Sequence, residues 1–282
     1  MNPERHRDRH ARLRAALASW PAPVAHAIDG DWLELRTDLP ACSDVAPAAL
    51  LRRNRRLPGG VRCVLVSAGR LQCRGEVPLD LPDDAVWARL DGARAGFLTL
   101  LDGQPPAAPP AVEPGRLPAE LAARLGEAGW PWTARGDGSI AVDLGVADLF
   151  LQAEIEAHAG ALCGAVALAP FDPEATAAPA LLLLRAGGAV RQARPVLSAD
   201  GVPRLEVVLT ADPGARELGH ALAALAVACR LCAREIEVLS RAPRIAARVG
   251  ARLAGGGAAD SSHPTPNQSK EEDESWQRQQ QR

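Results

Sequence analysis

The 282-residue sequence contains no tyrosine and only one lysine, whereas alanine and arginine are abundant. This bias indicates a GC-rich bacterial genome and carries no chemistry of its own. The first eighteen residues are charged and lack the apolar core of a secretory signal peptide. The longest unbroken apolar run, Ala221–Cys229, is far too short to cross a bilayer. These absences predict a cytoplasmic protein that does not associate with membranes and keeps its cysteines reduced.

Short motifs of common enzymatic chemistry are also missing. The patterns G-x-S-x-G, H-E-x-x-H and G-x-x-x-x-G-K do not occur. The formal net charge is -2 and the pI is about 6.3, so no overall basic field favours nucleic acid. We therefore expect no catalytic residues, no cofactor, no metal and no nucleic-acid partner. An enzyme would require His158 or His220 to meet acidic neighbours in a pocket.

One C-x-x-C pair, Cys229 and Cys232, raises the alternatives of a redox or a metal site. Such sites need the pair near a helix N-terminus or beside a second pair of ligands, and the sequence offers neither. The pair instead continues an apolar stripe at helical spacing, formed by Leu218, Leu222, Leu225, Cys229, Cys232 and Ile236. This pattern predicts two core thiols in one long helix, from about Gly214 to Leu239.

The first part of the chain, residues 1–102, alternates helix and hairpin signals. A helix that Pro21 ends is followed by two short strands around Asp29-Gly30-Asp31. A second helix, Pro47–Leu57, precedes a hairpin with strands Val61–Ala68 and Leu71–Leu79, each with one buried face. A third helix then begins at the acidic pair Asp83 and Asp84.

The second part repeats this order. Residues 103–116, rich in proline and alanine, form the predicted linker, and residues 117–254 form the predicted second domain. This domain contains a helix, four short strands, the helix Thr176–Ala186, a hairpin that begins at Val190, and the long helix. Ala46-Pro47-Ala48 also matches Ala178-Pro179-Ala180. We therefore predict a diverged tandem repeat, with α+β domains that each pack an antiparallel sheet against helices.

The C-terminal residues 255–282 are polar, with an acidic run Glu271–Glu274. With so little apolar surface to bury, this segment is predicted to be a disordered tail. Trp276 is its only aromatic residue and is a candidate anchor for a short binding motif; the alternative is an uninvolved tail.

One stretch of the first part resembles a known family. Leu50-Leu51-Arg52, Asn54 and Leu57-Pro58 precede a strand, Ala68-Gly69-Arg70, a second strand with Glu76-Val77-Pro78-Leu79, and an Asp-led helix. This block resembles the C-terminal part of class I type III secretion chaperones and of domains that share their fold. The family's order is a helix, three strands, a helix, two strands and a helix. The first part has one early strand fewer than this order, whereas the second part has more than enough.

The resemblance implies a non-catalytic, often dimeric binder that holds a partner polypeptide in extended form against apolar grooves. A tandem copy would form either a monomeric pseudo-dimer or a homodimer. We expect the partner to contact exposed apolar residues on the hairpin strands, at Val64, Val66, Leu205 and Val207; the alternative is that these residues pack beneath their own helices. A regulatory or structural module of the same fold is the second hypothesis, with the tail as its recruiting element.

Overall fold

The computed structural model describes residues 3–20, 23–39, 45–67, 69–101, 117–146, 149–158, 161–172 and 177–254. The side chains of residues 3–8, 10 and 158 are outside this description. The predicted linker, residues 103–116, and the predicted tail, residues 255–282, also lie outside it. The predictions for these two segments and for Trp276 therefore stay predictions.

The fold class is α+β, as predicted. The described residues form seven helices, which are α1 (Pro3–Leu17), α2 (Pro47–Arg56), α3 (Asp83–Leu101), α4 (Leu121–Glu127), α5 (Ala177–Ala189), α6 (Ala215–Arg241) and α7 (Pro243–Ala254). Proline at the first position of α2 and two carboxylates in the first turn of α3 suit helix N-termini, where backbone N–H groups lack partners.

Two antiparallel sheets accompany the helices. The first has the order β1-β2-β4-β3, with strands β1 (Ala25–Asp29), β2 (Trp32–Asp38), β3 (Arg62–Ser67) and β4 (Arg70–Pro78). The second has the order β5-β6-β7-β8-β10-β9, with strands β5 (Trp132–Ala134), β6 (Ile140–Asp143), β7 (Gln152–His158), β8 (Ala161–Ala167), β9 (Arg194–Leu197) and β10 (Pro203–Thr210).

The two sheets share one strand order. In each part the chain forms a hairpin, a helix, a second hairpin and a second helix. The resulting strand order is β1-β2-β4-β3 in the first sheet and β7-β8-β10-β9 in the second. Strands β5 and β6 are additional in the second sheet, so the first part has fewer early strands, as expected. The origin of this likeness in a duplication, and the division into two domains, stay predictions.

The two parts exchange helices. Helix α5 packs on β3 of the first sheet, α2 packs on β9 of the second, and α2 and α5 contact each other. The described residues accordingly share one large hydrophobic cluster, to which Val77 and Phe97 contribute from one part and Ile155 and Leu222 from the other. Each sheet is therefore completed by a helix from the other part of the chain.

Three details differ from the sequence-based expectation. Strand β9 begins at Arg194 rather than at Val190, because the chain turns at Gln192, whose φ is 65°. Helix α7, which was not predicted, begins directly after α6 and packs along α5. Strand β3 is buried on both faces from Arg62 to Leu65 rather than on one, because α2 and α5 both contact it.

Candidate partner-binding surfaces

The strand residues predicted to meet a partner are mostly inaccessible. Val64, Leu205 and Val207 are buried, and Val66 is half-buried. The expectation of exposed side chains is therefore wrong for the three buried residues. The reason at β3 is the exchanged helix, since the backbone of Gly188 on α5 lies directly against Leu65 and Val64. On β10, Val207 packs beside Gly164 of β8, while α6 covers that strand.

A buried amide joins the edge strands of the two sheets. The Nδ2 atom of Asn54, on α2, donates to the carbonyl oxygen of Cys63 at 2.9 Å and to that of Pro195 at 2.8 Å. Its Oδ1 atom accepts from the Cys63 amide at 2.6 Å. Cys63 is the second residue of β3 and Pro195 the second residue of β9. Asn54 is fully buried, so its side chain satisfies three backbone groups that have no access to water.

Two buried arginines make reciprocal contacts between the parts. Arg62 begins β3, pairs with Glu76 of β4 and donates to the carbonyl of Val190 at 3.1 Å, just after α5. Arg194 begins β9, pairs with Glu206 of β10 at 2.7 Å and donates to the carbonyl of Leu57 at 3.0 Å, just after α2. Each guanidinium thus binds a carboxylate of its own sheet and the end of the helix that the other part contributes. These contacts join the two parts of the chain, while the buried Nε atom of Arg194 has no hydrogen-bond partner among the described residues.

The five cysteines of the described residues are buried free thiols. Cys229 and Cys232 are fully buried in α6, as the apolar stripe predicts, and burial raises the pKa of Cys229 to about 12. Cys63 and Cys73 face each other across β3 and β4 as free thiols. Burial raises the pKa of Cys73 well above its usual range. A reactive thiol needs the opposite shift, toward a lower pKa, so none of these environments favours thiolate chemistry at Cys229 or Cys73.

An ionic cluster brings His220 to an acidic residue. Asp80, which follows β4 and has a largely buried side chain, forms an ion pair with Arg216, 2.7 Å from its Nε atom, and lies 3.6 Å from Nε2 of His220. The ring of Trp32 lies 5.7 Å from the imidazole, centroid to centroid. Within the described residues, neither Asp80 nor His220 hydrogen-bonds to a hydroxyl or thiol that could act as a nucleophile. The cluster joins the N-terminal end of α6 to the first sheet.

Strand β1 lies at an open edge of the first sheet within the described residues. All five residues of β1 are exposed, and among described strands β1 pairs with β2 alone. The turn between them has Gly30 at φ 58°, which suits the first central position of a type II′ hairpin. Asp29 and Trp32, which flank this turn, therefore form a hydrogen-bonded pair, and the pattern alternates along the strand. The backbone amides of His26 and Ile28 consequently face away from β2, toward the free edge.

An edge strand of the second sheet, β5, offers less. Strand β5 is also exposed along its length, but it has only three residues, and Trp132 is its one large apolar side chain. Short edge strands are a common protection against unwanted strand pairing. Among the two open edges, β1 is therefore the better site for an added strand.

Helix α6 carries a second exposed surface that the sequence analysis missed. Val227, Leu231 and Val238 expose 44%, 48% and 53% of their surface. They lie on the face opposite the buried stripe and are accompanied by Arg230 and Arg234. A helical projection of every apolar residue in this segment, rather than of the strongest stripe alone, would have indicated this exposed surface.

No group of three or more histidine, cysteine, aspartate or glutamate side chains in the described part of the chain is placed to hold a metal ion. None of the described helices is both long and apolar enough to cross a membrane. No protein-family model, curated protein or solved structure matches this chain.

Proposed function

We propose that this chain is a cytoplasmic, non-catalytic protein-binding protein, similar to a type III secretion chaperone, that holds an extended segment of a partner polypeptide. The observation that carries the proposal is the open edge of β1, whose outward amides at His26 and Ile28 have no strand beside them among the described residues. An extended peptide paired there would add a fifth strand to the first sheet.

The helix exchange supports the same reading. Chaperones of this kind are often dimers, and here α2 and α5 each pack on the sheet of the other part, as a helix exchanged between subunits would. The reciprocal contacts of Arg62 and Arg194 follow the same approximate symmetry. We infer that one chain is a pseudo-dimer formed by a diverged tandem repeat, and that a second copy is not needed to complete either sheet.

The test is native co-purification of the full-length protein from the cells that produce it, compared with edge variants. Ile28→Pro removes one outward amide while the inward hydrogen bonds of β1 to β2 remain. Ile28→Val is the matched control, because it keeps the amide and the β-branched side chain. We expect a near-stoichiometric partner with the wild type and Ile28→Val, and at least tenfold less of it with Ile28→Pro.

Amide hydrogen exchange locates the contact. In the complex, exchange at His26 and Ile28 should slow by at least tenfold, because strand pairing protects their N–H groups. Equal recovery of the partner by both variants, or unchanged exchange at these two amides, would contradict binding at β1. A wild-type protein that recovers no partner would instead favour a regulatory or structural module without chaperone activity.

A further inference from the structure

The exposed face of α6 forms an apolar stripe. At about 100° per residue, Val227, Leu231 and Val238 project within roughly 40° of one another, and they extend over about 16 Å of the helix. Each of the three exposes at least two-fifths of its surface, although the same helix buries an entire opposite face. Among the described elements, none covers this stripe, so it is a surface on which another segment can pack.

Two arginines beside the stripe have no ionic partner in the described part of the chain. Arg230 and Arg234 form no hydrogen bond or ion pair within the described residues, whereas Arg241 pairs with Glu237 at 2.9 Å. The following helix α7 contains three arginines and no acidic residue. Residues 230–254 hold six arginines and two glutamates, so this region has a formal charge of +4. Its natural complement is an acidic segment that also carries a large apolar side chain.

The chain itself contains such a segment. Residues 271–274 are Glu-Glu-Asp-Glu, with Trp276 two positions later. The described structure ends at Ala254 with α7, which directly follows α6. Glu271 is seventeen residues further on, a distance that can span at most about 60 Å and therefore reaches any point of α6. Because the segment is covalently attached, its effective concentration near α6 is on the order of millimolar, so a weak contact suffices.

We propose that residues 271–276 of this chain bind the exposed face of α6. The carboxylates of residues 271–274 pair with Arg230 and Arg234, and the Trp276 ring covers the stripe at Val227, Leu231 and Val238. The tail is then an internal ligand of the last long helix. This surface is separate from β1, so the inference does not depend on the proposed function.

The only lysine of the sequence provides a direct test. Lys270 precedes the acidic run, and Glu235 and Glu237 lie on α6 beside the stripe. In the full-length protein, a carbodiimide should join the Lys270 amine to one of these two carboxylates, and mass spectrometry identifies the joined peptides. We expect the yield to fall at least fivefold in the double variant Arg230→Ala, Arg234→Ala and in Trp276→Ala. The double variant Arg55→Ala, Arg56→Ala removes the same charge from the exposed side of α2 and should leave the yield unchanged.

Isotope mixing separates the remaining outcomes. A mixture of ¹⁵N-labelled and unlabelled protein yields joined peptides of uniform label when the contact is within one chain. Mixed-label peptides would show that the tail binds a second copy and would overturn the proposal. A Lys270–α6 product that is absent, or that forms equally in the Arg230→Ala, Arg234→Ala variant, would overturn it as well.

Discussion

The side-chain amide of Asn54 donates to the backbone carbonyl of Pro195 across 2.8 Å, although the two residues are 141 positions apart in the sequence. The same nitrogen binds the carbonyl of Cys63, so one side chain fastens the edge strands β3 and β9 to helix α2. Asparagine suits this place because its amide carries both donors and an acceptor, and all of them are used.

Replacement of Asn54 should therefore destabilise the whole fold. Asn54→Ala leaves three buried backbone groups without partners, each of which costs about 1–3 kcal/mol. We expect the free energy of unfolding, measured with urea, to fall by about 3 kcal/mol or more. Arg55→Ala, at the next position on the exposed side of α2, should change it by less than about 0.5 kcal/mol. Similar values for the two variants would mean that Asn54 does not join the strands.

Two helical glycines should respond to alanine in opposite directions. A Cβ atom at Gly188 of α5 would overlap the carbonyl oxygen of Leu65, whereas one at Gly219 of α6 meets no atom within 4 Å. Gly219→Ala should raise the free energy of unfolding by about 0.5–1 kcal/mol through helix propensity. Gly188→Ala should lower it by about 1–3 kcal/mol, because α5 must move away from β3. Thermal and urea unfolding measure both, and a stabilising Gly188→Ala would show that α5 does not lie so close to β3.

The buried pair Arg62–Glu76 should be strongly coupled. The two side chains expose 1% and 4% of their surface, so Arg62→Ala leaves the buried Glu76 carboxylate without its ion-pair partner and should cost about 3–5 kcal/mol. In a double-mutant cycle with Glu76→Ala, we expect a coupling energy of about 1–3 kcal/mol. The cross-strand pair Arg70–Asp38, at 3.1 Å but exposed, is the matched control and should show much weaker coupling. Equal coupling in the two pairs would contradict the burial of Arg62.

Alkaline pH should reveal the buried thiol of Cys229. Burial holds the pKa of this thiol at about 12, whereas an unfolded cysteine loses its proton near pH 8.5. The thiol's contribution to stability is therefore complete below about pH 8.5 and is lost as the pH rises toward 12, at about 1.4 kcal/mol per pH unit. Between pH 9 and 11, the free energy of unfolding measured with urea falls as the pH rises. This fall per pH unit should be smaller by about 1.4 kcal/mol in both Cys229→Ala and Cys229→Ser. An unchanged slope in either variant would mean that Cys229 is already ionised in the folded protein.

Local patterns predicted most of the elements. The carboxylates at Asp83 and Asp84 marked the start of α3, and its buried residues Val86, Leu90 and Phe97 follow the predicted helical spacing. The stripe through Cys229 and Cys232 placed both thiols in the core of α6. Each of these features depends on residues within a few turns of one another, and periodicity is sufficient to find them.

Features that depend on distant residues were not predictable in this way. The alternation of apolar and polar residues along β3 suggested one buried face. Val64 is nevertheless covered by α5, which begins 113 residues later. The start of β9 was misplaced because Gln192 adopts a positive φ, where glycine is the usual residue. The open edge of β1 depends on the strand order of the sheet, and the exposure of Val227 and Leu231 depends on which face of α6 the sheet occupies. Neither the open edge nor the exposed helix face can be predicted from the spacing of nearby residues.

The exchange of helices also determines when β3 can be covered during protein synthesis. When the ribosome has made β3, the helix that covers it is still about 120 residues from completion, since Gly188 must arrive before Val64 can be enclosed. At roughly 5–20 residues per second, the nascent chain carries an uncovered apolar strand for about 6–24 s. The N-terminal part therefore reaches its final packing only after most of the chain has been translated. During those seconds the uncovered strand β3 can associate with other unfolded chains.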